Sequence, residues 1–359
     1  MTERESSMHG AEAVAWSAYR KSLDTILDAV GRTPMVRLNR VTSDLDSEIL
    51  MKLEWYGPSG SLKDRIYLHM FEEAEQKGEL RPGMTVLECS TGNAGAACAC
   101  IAAVKGYPCM VVMPVGMSDE RKSLMQAYGA RLVFTPGGES DVDLSLRKLE
   151  EIRMQDPGLY WVPAQFDNPA NVQAHYRTTG PEIWDQCDGR IDALVASQGS
   201  GGSLTGAGRY LREQCSGVRL YAVEPSECPI LSHRRWGPHG IEGIGDGFVP
   251  GNLDVRALTG VITVSTADSV AMARQLACKE GIFCGISSGC SVAGAVKLLR
   301  KLRELDRVVV LANDTGQRYF TTALCGVDKR VEVPDREHPL DRRSRELLDR
   351  YHAEWDIIE

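Results

Sequence analysis

Apolar residues along this chain recur in two rhythms that take turns. Short runs of Val, Leu, Met and Ile fill 84–88, 110–113, 132–134, 194–196, 220–223, 261–264 and 308–311. Between them, apolar positions return every three or four residues over 93–105, 119–128, 142–153, 204–213, 267–279 and 291–305. The first rhythm predicts strands and the second helices. Several strand runs are continuously apolar, as expected when both faces of a sheet are covered. The alternation predicts an α/β fold of parallel sheets with helical crossovers. Upstream, Ile49, Met51 and Leu53 alternate as one more strand, and 35–38 form a short one. Leu23, Ile26, Leu27 and Val30 keep helical spacing behind Ser22, a candidate cap. Residues 1–21 carry little pattern and read as a loose arm or a docking helix.

Two stretches break the rhythm. Residues 225–260 are rich in Gly, Pro, His and Arg and show little periodicity. Irregular segments of that length are usually functional, as lids or mouths. The end of the chain, with Asp335, Arg336, Glu337, Arg342, Arg343 and Glu346, is highly charged. It reads as a helical tail with a solvated face or a subunit contact.

Composition narrows the class. The formal net charge of −8 argues against nucleic acid or an anionic membrane as a partner. No apolar run approaches the length of a membrane span, and residues 2–7 lack the apolar core of a signal peptide. The 11 cysteines are scattered, with no metal-like or redox-like C-x-x-C. Most lie in apolar segments, and no metal site is expected. An odd count without a secretory signal fits a reducing cytoplasm.

Candidate chemistry collects at strand-to-helix junctions. Lys63, in Gly60-Ser61-Leu62-Lys63-Asp64-Arg65, follows the strand ending at Leu53 and opens a helix-like segment that closes at Gly78. The positive end of a helix disfavours a cation. A partly desolvated amine there has a depressed pKa and is nucleophilic toward carbonyls. Alone, Lys63 could equally be a solvated first-turn lysine. Ser90-Thr91-Gly92-Asn93-Ala94-Gly95 brings hydroxyls, an amide and free backbone N–H groups to a helix start, which makes an anion site suited to a carboxylate. Gln198-Gly199-Ser200-Gly201-Gly202-Ser203 also follows a strand and opens a helix, and its glycines let N–H groups close on a phosphate. It is neither a P-loop nor a dinucleotide fingerprint. Asn313-Asp314-Thr315 ends a buried strand, where polar groups face the ligand crevice of a parallel sheet.

A nucleophilic lysine, a carboxylate loop, a phosphate loop and a polar strand end together suggest pyridoxal 5'-phosphate. With Gly31-Arg32-Thr33-Pro34, 165–171, 175–184, 242–250, Gly285-Ile286-Ser287-Ser288-Gly289 and Gly316-Gln317-Arg318-Tyr319, the chain resembles the fold-type II pyridoxal-phosphate family of cysteine synthases and cystathionine β-synthases from about residue 22 to 325. The resemblance implies two parallel-sheet α/β domains. Residues 1–48 would be an arm and part of the large domain, 49–164 a small mobile substrate-binding domain, 165–330 the large cofactor-binding domain, and 331–359 a charged tail.

It also implies roles. Lys63 would form the Schiff base and carry the substrate α-proton. Asn93 would face the cofactor's ring hydroxyl oxygen. Gly199, Ser200, Gly201, Gly202 and Ser203 would hold the phosphate, and Thr315 the pyridine nitrogen, with Asp314 turned away. Ser90, Thr91 and Gln165 would bind the substrate carboxylate. The implied reaction is β-replacement on serine or an O-activated serine through an aminoacrylate. Cysteine synthesis is the default; cystathionine, cyanoalanine or 2,3-diaminopropionate formation, or a serine/threonine deaminase or cysteine desulfhydrase, are alternatives. A homodimer is implied, with the arm (Trp16, Tyr19) and tail as candidate interface.

The chain departs from the family pattern at Ala94, Asn313, Ser59 and Asp246. Where the sulfhydrylases have a small apolar alanine, Asp246 stands in Gly245-Asp246-Gly247. Either it is a surface aspartate in a turn, or it faces the second-substrate side and repels an anionic nucleophile.

Overall fold

The two rhythms resolve into two sheets. A computed structural model describes residues 22–327 and 332–359. The larger sheet has seven strands: β1 (Met35–Arg37), β2 (Glu48–Leu53), β7 (Ala193–Ser197), β8 (Arg219–Pro225), β9 (Gly260–Val264), β10 (Arg307–Ala312) and β11 (Asp356–Ile358). Their spatial order is β1-β2-β10-β7-β8-β9-β11, and every pair is parallel except β1 with β2. The smaller sheet is all parallel, with β3 (Thr85–Cys89), β4 (Cys109–Pro114), β5 (Arg131–Thr135) and β6 (Tyr160–Trp161) in the order β5-β4-β3-β6. The apolar runs are buried as their lack of alternation requires: Val308, Val309, Val310 and Leu311 are all inaccessible.

Several boundaries differ from expectation. The helix behind Ser22 is only a 3-10 turn, Ile26–Ala29, capped by Thr25. Gly31 and Pro34 follow too closely for an α-helix to repay its nucleation, and Leu23 and Ile26 stay exposed. The helix at 267–279 is α only over Thr266–Gln275, then passes into a π turn. The helix at 291–305 begins earlier, at Ile286. β6, β11 and the helices Pro169–Arg177 and Thr179–Gln186 were not anticipated.

The division into domains also moves. β2 was expected to open the small domain but pairs in the large sheet beside β10. The chain crosses over after it: Ile66, Tyr67, Met70 and Phe71 of the helix Lys63–Lys77 pack with Ala96, Val111 and Trp161 under the small sheet. Nor is 331–359 only a charged tail. Its helix Arg342–Tyr351 buries Leu348, and its last strand, β11, extends the large sheet on β9. Trp16 and Tyr19 lie outside the described residues. Among the described residues, no helix is long and apolar enough to cross a membrane.

What matters for chemistry is where the strands end. β2, β3, β7 and β10 each run out into a loop, and the cavity between the two sheets is lined from these loops. This is the carboxyl-end crevice at which parallel sheets bind ligands.

Candidate active site

The start of the helix Lys63–Lys77 is held by a buried ion cluster. Arg65 donates from Nε to Glu54 Oε2 at 2.6 Å and from Nη1 to Glu182 Oε1 at 2.7 Å. Lys52 Nζ donates to Glu182 Oε2 at 2.7 Å, and Thr33 Oγ1 to Glu54 Oε1 at 2.6 Å. Burial works to raise the Glu182 carboxyl, but Arg65 and Lys52 outweigh it and hold it at about 2. The Gly-Arg-Thr-Pro turn, β2, the Lys63 helix and the helix Thr179–Gln186 are thus tied at one point. Gly31 is required there twice, by its φ of +86° and because a Cβ would sit 3.0 Å from Arg65 Nη1. Asp64 steadies the loop before the helix by accepting from Ser59 N at 3.0 Å.

Lys63 therefore reaches into the cavity from a fixed base. Its Nζ lies 3.5 Å from Ser200 Oγ, at the glycine loop that joins β7 to the helix Gly202–Gln214. Burial lowers the amine below the ordinary lysine value, while the charges of Asp246, Glu88 and Glu139 act the other way. Gly199, Ser200, Gly201 and Ser203 line the cavity. Gly201 has a φ of +80°, and a Cβ there would lie 2.7 Å from Leu253 Cβ. Gly202 does not line the cavity; a Cβ on it would meet Asn171 Oδ1 at 1.9 Å. Asn171 in turn donates from Nδ2 to Ser200 Oγ at 3.0 Å.

Ser90, Thr91, Asn93 and Gln165 line the same cavity. Ser90 Oγ accepts from Gly92 N at 3.0 Å and Gly95 N at 2.8 Å, which shapes the start of the helix Asn93–Lys105. Thr91 Oγ1 donates to Glu139 Oε1 at 2.8 Å. Asn93 is clamped by residues from the other sheet: its Nδ2 donates to Asp314 Oδ2 at 2.7 Å, and its Oδ1 accepts from Arg318. Tyr319 OH donates to the same Asp314 oxygen at 2.7 Å, and Arg121 Nη2 donates to Tyr319 OH at 2.6 Å. The Gly-Gln-Arg-Tyr motif thus joins the two domains.

Thr315 is not brought to this site. Asn313 is the last residue after β10 whose side chain lines the cavity; it donates to Ser197 Oγ at 2.7 Å and Ser287 Oγ at 3.1 Å. The next two residues leave in isolated bridges, Asp314 with Ser61 and Thr315 with Cys284. Those pairings carry both past the cavity, and Thr315 Oγ1 accepts from Gln317 N as a helix cap. Ser287, buried at the start of the helix Ile286–Lys301, occupies the floor beside Asn313. The Gly-Ile-Ser-Ser-Gly motif was the signal for it.

Asp246 does line the cavity, only 8% exposed. It is not a surface turn residue. Burial raises its carboxyl to about 6, with the Lys63 charge pulling it back. Glu139 was missed by sequence reasoning. Burial and the neighbouring Asp246 raise it to about 8, against Arg121 and Thr91. Nothing in its local sequence marks it.

The donor set suits pyridoxal phosphate. A desolvated amine faces a tight loop of glycine N–H groups and serine hydroxyls at a helix start, and hydroxyl and amide donors converge opposite. The free space in the cavity is narrow, about 50 Å³.

Comparison with known proteins agrees. Residues 26–314 match the family described as pyridoxal-phosphate dependent enzyme. The chain is 40% identical to a cysteine synthase of Staphylococcus aureus over 310 residues, covering 86% of this chain and 99% of that one. It is 44% identical to cysteine synthase 3 of Caenorhabditis elegans, covering 83% and 88%. The crystal structure of a cysteine synthase from Entamoeba histolytica superposes with a TM-score of 0.81 at 33% identity, covering 93% and 97%. An O-ureido-L-serine synthase superposes with a TM-score of 0.80 at 39% identity, covering 87% and 98%. With a lysine-bearing cavity between two largely parallel sheets and a match to these relatives over most of its length, the chain belongs to the fold-type II pyridoxal-phosphate-dependent cysteine synthase family.

Proposed function

We propose that the protein replaces the β-substituent of serine or an O-activated serine with a second nucleophile, as a cysteine synthase does. The observation that carries this reading is the half-buried Lys63 amine, facing the glycine loop across from Ser90, Thr91 and Gln165. Pyridoxal phosphate, when bound, withdraws electrons from the substrate α-carbon. The chain's residues supply position and proton transfer. Ser200, Ser203 and the N–H groups of 199–203 hold the phosphate. Asn93, fixed by Asp314 and Arg318, orients the ring.

Ser287, rather than Thr315, offers its hydroxyl to the heterocyclic nitrogen. With a neutral group there and Asp314 engaged elsewhere, carbanion stabilisation is moderated and replacement is favoured over transamination. Ser90, Thr91 and Gln165 bind the substrate carboxylate. Lys63 Nζ removes the α-proton, and burial favours the neutral amine that this task needs. In the same reading the small domain swings away from the large one to admit substrate and closes over it. All 11 thiols are free and 8 are buried, which supports a reducing cytoplasm as its setting. A homodimer is part of the same reading.

The test is a spectral titration of the holoenzyme with O-acetylserine, O-phosphoserine and serine, followed by product analysis with sulfide present. A visible-band change with one of the three, and a product carrying sulfur, supports replacement. Pyruvate and ammonia as the only products would sink it in favour of elimination.

A further inference from the structure

Glu139 stands behind the loop that receives the substrate carboxylate in the reading above. It lies on the short turn Glu139–Asp141, between β5 and the helix Val142–Gln155, and is only 5% exposed. Its Oε1 is 2.8 Å from Thr91 Oγ1. Its Oε2 is buried with no hydrogen-bond partner among the described residues. Thr91 is itself buried and lines the Lys63 cavity.

A threonine hydroxyl has one proton to give, and an ionised carboxylate can only accept. While Glu139 is ionised, the contact must therefore be Thr91 donating to Glu139. The Thr91 hydroxyl then offers a substrate carboxylate nothing but lone pairs, with a second anion behind them. Once Glu139 takes a proton from solvent, its own O–H donates to Thr91 Oγ1. The Thr91 O–H is then free to turn to the substrate. A neutral carboxyl is also the form that better tolerates a buried oxygen without a partner.

The surroundings favour that neutral form. Burial and the charge of Asp246, from the loop 242–250, raise Glu139 to about 8, while Arg121, the Thr91 hydroxyl and the Gly243 N–H oppose them. Arg121, on the helix Asp119–Ala127, is shared with Glu242 and with Asp314 at 3.5 Å. Lys63 and the Cys89 thiol at the end of β3 also feel the Glu139 charge. His239 and Glu242 line with it a space of about 160 Å³, and burial lowers His239 toward its neutral form. On its own turn, Asp141 is paired with Arg336.

We propose that Glu139 is a positioning residue acting through Thr91: the substrate carboxylate binds with Glu139 protonated, so that Glu139 donates to Thr91 and Thr91 donates to the substrate. Where Glu139 is ionised in the free protein, binding takes up one proton. This rests on the reading of Ser90, Thr91 and Gln165 as the carboxylate site.

The holoenzyme is titrated with L-alanine, which carries the carboxylate and has no β-substituent to lose. Half-saturation is read from the visible band at a series of pH values, for wild type and for Glu139→Gln. The ligand's own amine titrates equally against both, so the ratio of the two values isolates Glu139. The glutamine amide donates to Thr91 at every pH. The ratio of wild type to variant should be flat below about pH 7 and rise about tenfold between about pH 7 and about pH 9. Thr91→Val, which lacks the hydroxyl, should bind about tenfold more weakly than wild type at about pH 7. Its ratio to Glu139→Gln should not change with pH. A flat ratio of wild type to Glu139→Gln throughout, or a Thr91→Val that keeps the full rise with pH, overturns the relay. L-alaninamide, which lacks the carboxylate, binding wild type as tightly as L-alanine, or no band shift with either ligand, overturns the carboxylate site instead, and the relay with it.

Discussion

Replacing Glu182 by glutamine removes one charge from the cluster that anchors the Lys63 helix and leaves the shape nearly unchanged. The carboxyl is held at about 2 against an ordinary 4.5, so its charged form gains about 3 kcal/mol from the fold. Its side chain is only 18% exposed, so solvent screens little of this. The opposite shift of Arg65 reports the same contacts and is not added to it. The amide would leave Lys52 and Arg65 short of an anion in a buried place, a loss of about 3–5 kcal/mol in comparable pairs. Glu182→Gln should therefore lower the urea midpoint clearly and the melting temperature by about 5 °C or more. The sign with pH follows from the depressed carboxyl. Its contribution is full above about 4.5 and is lost as pH falls toward about 2. The gap between wild type and variant, measured by urea unfolding, should be widest near neutrality and shrink as pH is lowered through that window. Equal midpoints at neutral pH, or a gap that does not narrow in acid, would refute the cluster as the anchor.

Lys63→Ala should abolish turnover and the visible Schiff-base band while circular dichroism and melting stay close to wild type; a variant that keeps either the band or normal activity would remove Lys63 from its role. Asp246→Asn should raise the rate with hydrosulfide relative to amine-bearing nucleophiles by about tenfold to a hundredfold. Since the carboxyl loses its proton as pH rises through about 6, that difference should be present above this pH and fade below it; ratios that ignore both the substitution and pH would return Asp246 to a structural role. Gly202→Ala should weaken pyridoxal phosphate binding by about tenfold, because the new Cβ displaces Asn171 from Ser200; an unchanged absorbance titration with the cofactor would show that Asn171 can yield freely.

Much of this protein was written locally. A loop that must wrap a phosphate needs glycines and hydroxyls at consecutive positions, so the stretch from Gly199 to Ser203 announces itself. The same holds for the helix start at Ser90 to Gly95 and for the alternation of buried strands with helices. These are short-range demands of backbone conformation, and the sequence satisfies them within a few residues. Other features are set by chain segments that meet only after folding. Glu54, Arg65 and Glu182 are ordinary charges in the sequence; they form one cluster because separations of 11 and 117 residues close in space. The family resemblance points to Thr315 as the partner of the cofactor nitrogen, yet the bridges of Asp314 to Ser61 and of Thr315 to Cys284 turn that segment aside and leave Asn313 and Ser287 lining the cavity. Whether Asp246 was a surface turn or a cavity wall depended on what folded over it. The charged C-terminus showed no apolar rhythm strong enough to predict a strand, but β9 offered an open edge, and backbone pairing there does not depend on a side-chain pattern. Local backbone chemistry fixed the loops; long-range packing and desolvation decided which of their side chains face one another.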